Sequence, residues 1–180
     1  MSSRSTSAGK ITLRELTLLA LLAALMLATQ VAMASLPNIH LVGVLVILSA
    51  LLFGWRSLYS LYIFVLLEGL IYGFGLWFIN YLYVWTVLAL IAILFRKNRS
   101  RIFWAAVAGI FGLLFGALCS IPYFFIGGWA MGFSYWVSGI PFDLIHCVSN
   151  TVLCFVLLLP MYKLCSRLLG RPDTQENAGA

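Results

Sequence analysis

The chain has 180 residues, 63% of them hydrophobic and only 9% charged, with a mean hydropathy of +1.06. A soluble domain carries about 25% charged residues, so this composition excludes a soluble globular protein and leaves one integral membrane domain with no room for a second unit. The net charge of +6 does not point to nucleic acid, because the basic residues fall at the ends of apolar stretches, where insertion rules and anionic lipid account for them.

The eleven Lys and Arg residues form four clusters: Arg4, Lys10 and Arg14; Arg56; Arg96, Lys97, Arg99 and Arg101; and Lys163, Arg167 and Arg171. Each apolar interval between clusters is long enough to cross a bilayer and return. Basic residues are retained on the cytoplasmic side. The pattern predicts an all-α, polytopic membrane protein with six transmembrane helices, N- and C-termini cytoplasmic, and an outer face free of basic side chains.

In chain order, residues 1–10 read as a flexible cytoplasmic N-terminus, 11–169 as the membrane domain and 170–180 as a flexible cytoplasmic tail. Thr12 is an N-cap with Glu15 three residues on, a capping box. Span one runs to about Ser35. Its basic start, apolar run from Leu16 and Ala32-Met33-Ala34 resemble a cleavable signal peptide. Residues 1–34 are nevertheless expected to be retained, because this helix carries a packing pattern. Leu36-Pro37-Asn38 breaks the span on the outer side. Span two, Ile39 to Phe53, is short, and Gly54-Trp55-Arg56-Ser57 is an inner turn. Span three runs to about Phe78, Asn80 marks an outer turn, and span four returns to about Phe95 and also falls short of the usual length. Arg96 to Arg101 is the main inner loop. Span five runs from Ile102 to about Ile126. Gly127 to Ser138 reads as a Gly- and aromatic-rich outer connection. Span six starts near Gly139-Ile140-Pro141, with Pro141 in the first helical turn, and runs to about Leu169.

Ala20, Ala24, Ala28 and Ala32 recur every fourth position, a smooth strip that lets another helix approach closely in lipid. It suits either packing within this chain's own bundle or a docking face for a different membrane protein. Gly69/Gly73 and Gly109/Gly112/Gly116 are further small-residue strips, expected to be internal.

Polar residues in an apolar span face a cavity or a partner, since a charge at mid-bilayer costs roughly 3 kcal/mol. Away from the inner face the acids are Glu68 and Asp143 and the histidines His40 and His146. Glu68 should lie near the midplane, with Tyr72 one turn above it on the same face, a buried polar or coupling pair. Asp143, His146 and Asn150 are spaced by three and four, which puts them on one helical stripe. That stripe reads as a ligand pocket open to the outside, against the alternative of inter-helix hydrogen bonding. Aromatic residues gather at the outer side: Trp77, Tyr81, Tyr83 and Trp85, then Tyr123, Trp129, Tyr135 and Trp136. About half fit an interfacial belt; the rest suit a pocket that stacks on a flat ligand. Tyr83, Trp85, Trp129 and Trp136 are the candidates for that role.

Catalytic motifs are lacking. Trp136-Val137-Ser138-Gly139 lacks the first Gly of a rhomboid-type motif, and no His-Glu-x-x-His or phosphate loop occurs. Cys119, Cys147, Cys154 and Cys165 show no CxxC pairing and read as small apolar residues in packed helices. No metal and no cofactor is expected, and the chain is not read as an enzyme.

These features together resemble the substrate-binding S component of an energy-coupling factor (ECF) transporter, a bacterial vitamin-uptake system. The residues that carry the resemblance are Lys10-Ile11-Thr12-Leu13-Arg14, the Ala ladder, Leu36-Pro37-Asn38-Ile39-His40, and Gly139-Ile140-Pro141-Phe142-Asp143-Leu144-Ile145-His146 followed by Asn150. It covers about Thr12 to Leu169. It implies a multi-pass protein of the bacterial cytoplasmic membrane that captures a scarce nutrient from outside. It implies, as partners, a membrane coupling subunit and two cytosolic ATPases of an ABC-type module. It places the docking face at Ala20, Ala24 and Ala28, and the ligand site at segments matching Asn38, His40, Trp129, Asp143, His146 and Asn150. It also implies toppling of the subunit within the bilayer. Glu68 lies deeper than direct ligand contact would require.

A pocket with two acids, two histidines, many aromatics and no Arg or Lys disfavours anionic ligands such as folate or lipoate. It suits a neutral or cationic heteroaromatic vitamin or precursor: thiamin-like, pyrimidine, pyridoxine-like or a benzimidazole cobalamin precursor. Two other readings stay open. One is a small proton-coupled secondary transporter using Glu68 and Asp143, although no three-span repeat is evident. The other is an intramembrane enzyme using Asp143 and His146 as acid and base.

Overall fold

The computed structural model describes residues 11–170, which are all-α with no strand. The helices are α1 (Leu13–Ala32), α2 (Val42–Phe53), α3 (Ser57–Tyr72), α4 (Leu76–Leu94) and α5 (Arg101–Leu168), with a 3-10 turn at Gly54–Arg56 between α2 and α3. Four stretches are long and apolar enough to cross a membrane: Leu13–Ala32, Val42–Tyr72, Leu76–Leu94 and Arg101–Leu168.

Two of these stretches fold back on themselves. In Val42–Tyr72 the Ser49 and Ser60 hydroxyls are 2.8 Å apart. Eleven residues of continuous helix would separate them by about 16 Å, so α2 and α3 run antiparallel. Gly54 makes the reversal at φ 57, ψ −130. The 68-residue α5 breaks at Gly128, where φ 71 and ψ −169 lie in a region essentially restricted to glycine. Its two arms, residues 101–127 and 129–168, pair antiparallel. The Tyr123 and Tyr135 rings stack at 4.0 Å, Gly116 N–H donates to Asp143 Oδ1 at 2.9 Å, and Cys154 Sγ contacts Trp104 O at 3.3 Å.

α2 is the centre of the bundle. All twelve of its residues are buried, as expected of a helix that is apolar all round. It packs against α5, α4, α1 and α3. At 12 residues it is only about 18 Å long. α1 covers α3 and α2 through Leu19, Leu22, Ala23 and Met26. The Thr12–Glu15 capping box is present in both directions at its start.

The described residues of the basic clusters gather at one end. Arg56 Nη1 donates to Glu15 Oε2 at 2.9 Å, Gly54 faces the Arg96 guanidinium, Arg14 approaches Gly170, and Arg99 Nη2 donates to the Tyr162 hydroxyl at 2.7 Å. The connection at 33–41, the Gly73–Gly75 turn and the Gly128 reversal lie at the other end, called here the Asn38 end.

Three boundaries differ from the sequence expectation. The turn between the third and fourth segments falls at Gly73–Gly75, not Asn80. Gly73 takes φ 84, while Asn80 is buried within α4 and accepts from the Tyr83 hydroxyl. α4 is therefore 19 residues and nearly spans a bilayer core of about 30 Å, whereas α3 is shortened. Glu68 accordingly sits one turn from the end of α3 rather than halfway along a span. The third difference is at 127–138, which is helical except at Gly128. The aromatic side chains there continue the two arms, and Pro141 lies inside the second arm rather than at its start. The expected flexible termini fall on residues outside those described, apart from Gly170.

Candidate functional site

A polar cluster is buried where the connection before α2 meets α4 and both arms of α5. The left-handed Asn38 (φ 57) shapes that connection. Its Nδ2 donates to Phe142 O at 3.0 Å, and its own carbonyl accepts from Ser149 Oγ at 2.9 Å. This clamp sets His40 against the second arm of α5. The His40 and His146 rings meet edge-to-face with centroids 4.9 Å apart. Trp85 lies 5.7 Å from His40, and Phe115 lies 4.8 Å from His146. Phe111 and Phe115 each pack at a tilt against Trp85, with ring centroids at 5.5 and 5.6 Å.

The stripe predicted from spacing exists: Asp143, His146 and Asn150 are 3%, 1% and 1% exposed. Glycines on the first arm make it possible. Gly116 leaves room for the Asp143 carboxylate, Gly112 for the backbone at His146 and Gly109 for Thr151. Asn150 Nδ2 reaches Ala108 O at 3.4 Å, and Gly43 of α2 faces the Asn150 amide.

The cluster is under-satisfied. His40 Nδ1, Trp85 Nε1, Asp143 Oδ2, both ring nitrogens of His146 and Asn150 Oδ1 are buried without a hydrogen-bond partner in the protein. Each such atom costs about 1–3 kcal/mol, and native proteins satisfy nearly all of them with protein, water or ligand. Donors, acceptors and aromatic edges are thus available at one place, with no cationic side chain among them. A cavity of about 290 Å³ adjoins the cluster, lined by Asn38, Phe115, Gly116, Cys119, Tyr135, Ser138, Gly139, Phe142 and Asp143. It reaches the Asp143 end of the stripe; the His40–His146 pair lies behind Phe115.

Of the sequence candidates, Asn38, His40, Trp85, Asp143, His146 and Asn150 come together. Tyr83, Trp129 and Trp136 do not. The Tyr83 hydroxyl is engaged with Leu118 O at 2.6 Å. Trp129 is 76% exposed beyond the Gly128 reversal, against Phe124 and Phe133, and Trp136 packs toward Phe133. The site residues that the sequence reading missed are Phe111, Phe115, Gly116 and Tyr135. The α5 hairpin reveals them: Phe111, Phe115 and Gly116 lie opposite the Asp143 stripe, and Tyr135 precedes that stripe on the same arm.

Glu68 and Tyr72 belong to a separate cavity of about 350 Å³ between α1, α3 and α4. Ala20, Ala24, Ala28 and Ala32 are exposed on the outside of α1, whereas Ala23 is fully buried. Gly109, Gly112 and Gly116 face the other arm of α5. The four cysteines are free, and no group of three or more His, Cys, Asp or Glu among the described residues could hold a metal ion. Comparison with protein-family models, curated proteins and solved structures finds no match to this chain.

Proposed function

We propose that this chain is the membrane-embedded substrate-capture subunit of an ECF-type transporter. It takes a neutral or cationic heteroaromatic vitamin or precursor at the His40–His146 cluster, and delivers it when docked on a coupling subunit driven by two ATPases. The observation that carries this reading is the under-satisfied cluster of His40, Trp85, Asp143, His146 and Asn150. A ligand with ring nitrogens and amino or hydroxyl groups, entering by the cavity beside Asp143, would satisfy donors and acceptors of this cluster while packing on Phe115. The absence of Lys and Arg from the cluster disfavours a carboxylate or phosphate ligand.

Six crossings follow if each arm of the two reversals crosses the bilayer, with the basic end cytoplasmic. The Asn38 end then faces out, and the cavity beside Asp143 is the entrance. In this orientation the chain resides in a bacterial cytoplasmic membrane. The exposed Ala20, Ala24 and Ala28 strip leaves a flat helix face open to the coupling subunit. Its exposure disfavours the alternative, in which the ladder packs inside this chain's own bundle.

The test separates capture from delivery. Ala24→Trp places bulk on the open face without touching the cluster. Ligand binding by the purified variant should match the unaltered protein, while uptake by cells that supply the coupling module should fall to background. Unchanged uptake contradicts the docking face. Uptake that survives loss of ATP but collapses with the proton gradient favours a proton-coupled carrier instead.

A further inference from the structure

The cavity between α1, α3 and α4 shares no lining residue with the one beside Asp143. Its walls are Gln30, Ala34, Glu68, Tyr72, Trp77 and Tyr81. The residues form three pairs, each spaced by four along the chain: Ala34 over Gln30, Tyr72 over Glu68, and Trp77 over Tyr81. Four residues of helix rise about 6 Å and Ala34 follows the end of α1, so Ala34, Tyr72 and Trp77 make a rim at the Asn38 end. Gln30, Glu68 and Tyr81 make a floor one turn deeper.

The chemistry of the floor is one-sided. Glu68 is 3% exposed and its Oε1 has no hydrogen-bond partner. Gln30 Oε1 is likewise unpartnered, and Gln30 Nε2 donates to the Tyr81 hydroxyl at 3.3 Å. Every Lys and Arg among the described residues lies near the basic end. Trp77 and Tyr81 meet edge-to-face at 5.3 Å. No cationic side chain lines this cavity to hold an anion. A buried carboxylate beside aromatic walls matches the environment that recognises alkylated ammonium ions, whose charge is held by the acid and whose methyl groups rest on ring faces.

The geometry points to a second site in this protein, formed by Glu68, Gln30, Tyr72, Trp77 and Tyr81, that takes a small alkylated ammonium group. The group is either a free choline-like solute or the headgroup of a choline lipid. The site is independent of the transport reading, since it uses none of the residues of the His40–His146 cluster. It nonetheless shares a wall with that cluster, because Tyr81 packs edge-to-face on Trp85 at 5.8 Å.

The test uses the full chain in lipid discs of phosphatidylglycerol, which carry no ammonium. Radiolabelled choline binding is measured by equilibrium dialysis, with its neutral isostere 3,3-dimethyl-1-butanol as competitor. Choline should bind saturably, and the isostere should compete at least about tenfold more weakly than unlabelled choline. Glu68→Gln should weaken choline at least about tenfold, and Trp77→Leu should also weaken it, the second variant covering the case in which the first does not fold. His146→Asn should leave choline binding unchanged, so failure of the ligand cluster is distinguishable from failure of this site. Discs of phosphatidylcholine identify the source: weaker choline binding there assigns the site to a lipid headgroup, and equal binding assigns it to a soluble amine. No saturable binding, equal competition by the isostere, or binding unaffected in well-folded Glu68→Gln overturns the proposal.

Discussion

His40 and His146 face each other edge-to-face across the bundle, 4.9 Å between ring centroids, although 106 positions separate them in the sequence. His40 comes from the connection before α2 and His146 from the second arm of α5. Neither nitrogen of His146 has a protein partner. The Asn38 clamp on Phe142 and Ser149 holds the connection that carries His40 against the second arm of α5.

His146→Asn should keep the fold, because a smaller polar side chain in an under-satisfied site does not bury a new charge. It should weaken ligand binding at least about tenfold, the equivalent of ~1.4 kcal/mol or one lost hydrogen bond to a buried partner. Tryptophan fluorescence titration with candidate vitamins reads this, since Trp85 lies 5.7 Å from His40.

Gly116→Ala should damage both stability and binding. An added Cβ would lie 3.0 Å from Asp143 Cγ and closer still to the carboxylate oxygens. Overpacking of this kind costs about 1–3 kcal/mol. Gly139→Ala, with nothing within 4 Å of the new methyl, should be neutral or mildly stabilising. A lower thermal unfolding midpoint in detergent for the first variant only is the expected result.

Gly128→Ala and Gly73→Ala test the two reversals at the Asn38 end. Their backbones, φ 71, ψ −169 and φ 84, ψ 163, fall where a side chain is strained by about 1–3 kcal/mol. No atom lies within 4 Å of either added Cβ, so backbone strain alone should lower the unfolding midpoint. An unchanged midpoint in both would argue against these turns.

Much of this architecture was legible in the sequence, for physical reasons. The capping box at Thr12 and Glu15 is a local pattern with a local cause. The Asp143, His146 and Asn150 stripe follows from helical spacing alone. The four basic clusters marked the end where Arg56 meets Glu15 and Arg99 meets Tyr162. What escaped was set by tertiary packing or by one backbone angle. The segment from Gly127 to Ser138 has the composition of a loop, yet a single glycine at Gly128 makes the turn and the aromatics extend the helices. Asn80 resembles a turn residue but is buried in α4, because Gly73 had already reversed the chain. Phe115 carries no signal of its own, and Gly116 shows only as the last of the Gly109/Gly112/Gly116 strip. They matter because the α5 hairpin sets them opposite His146 and Asp143. Trp129 was a ligand candidate through the outer aromatic cluster and the family resemblance, but the reversal at Gly128 places it at the exposed tip.

The most direct test is to identify, by mass spectrometry, the small molecule that the gently purified full chain retains, alongside His146→Asn prepared identically. The account predicts a neutral or cationic heteroaromatic compound at about one per chain, lost from the variant. An anionic ligand, a molecule retained equally by His146→Asn, or no retained molecule together with no binding of any candidate vitamin would contradict it.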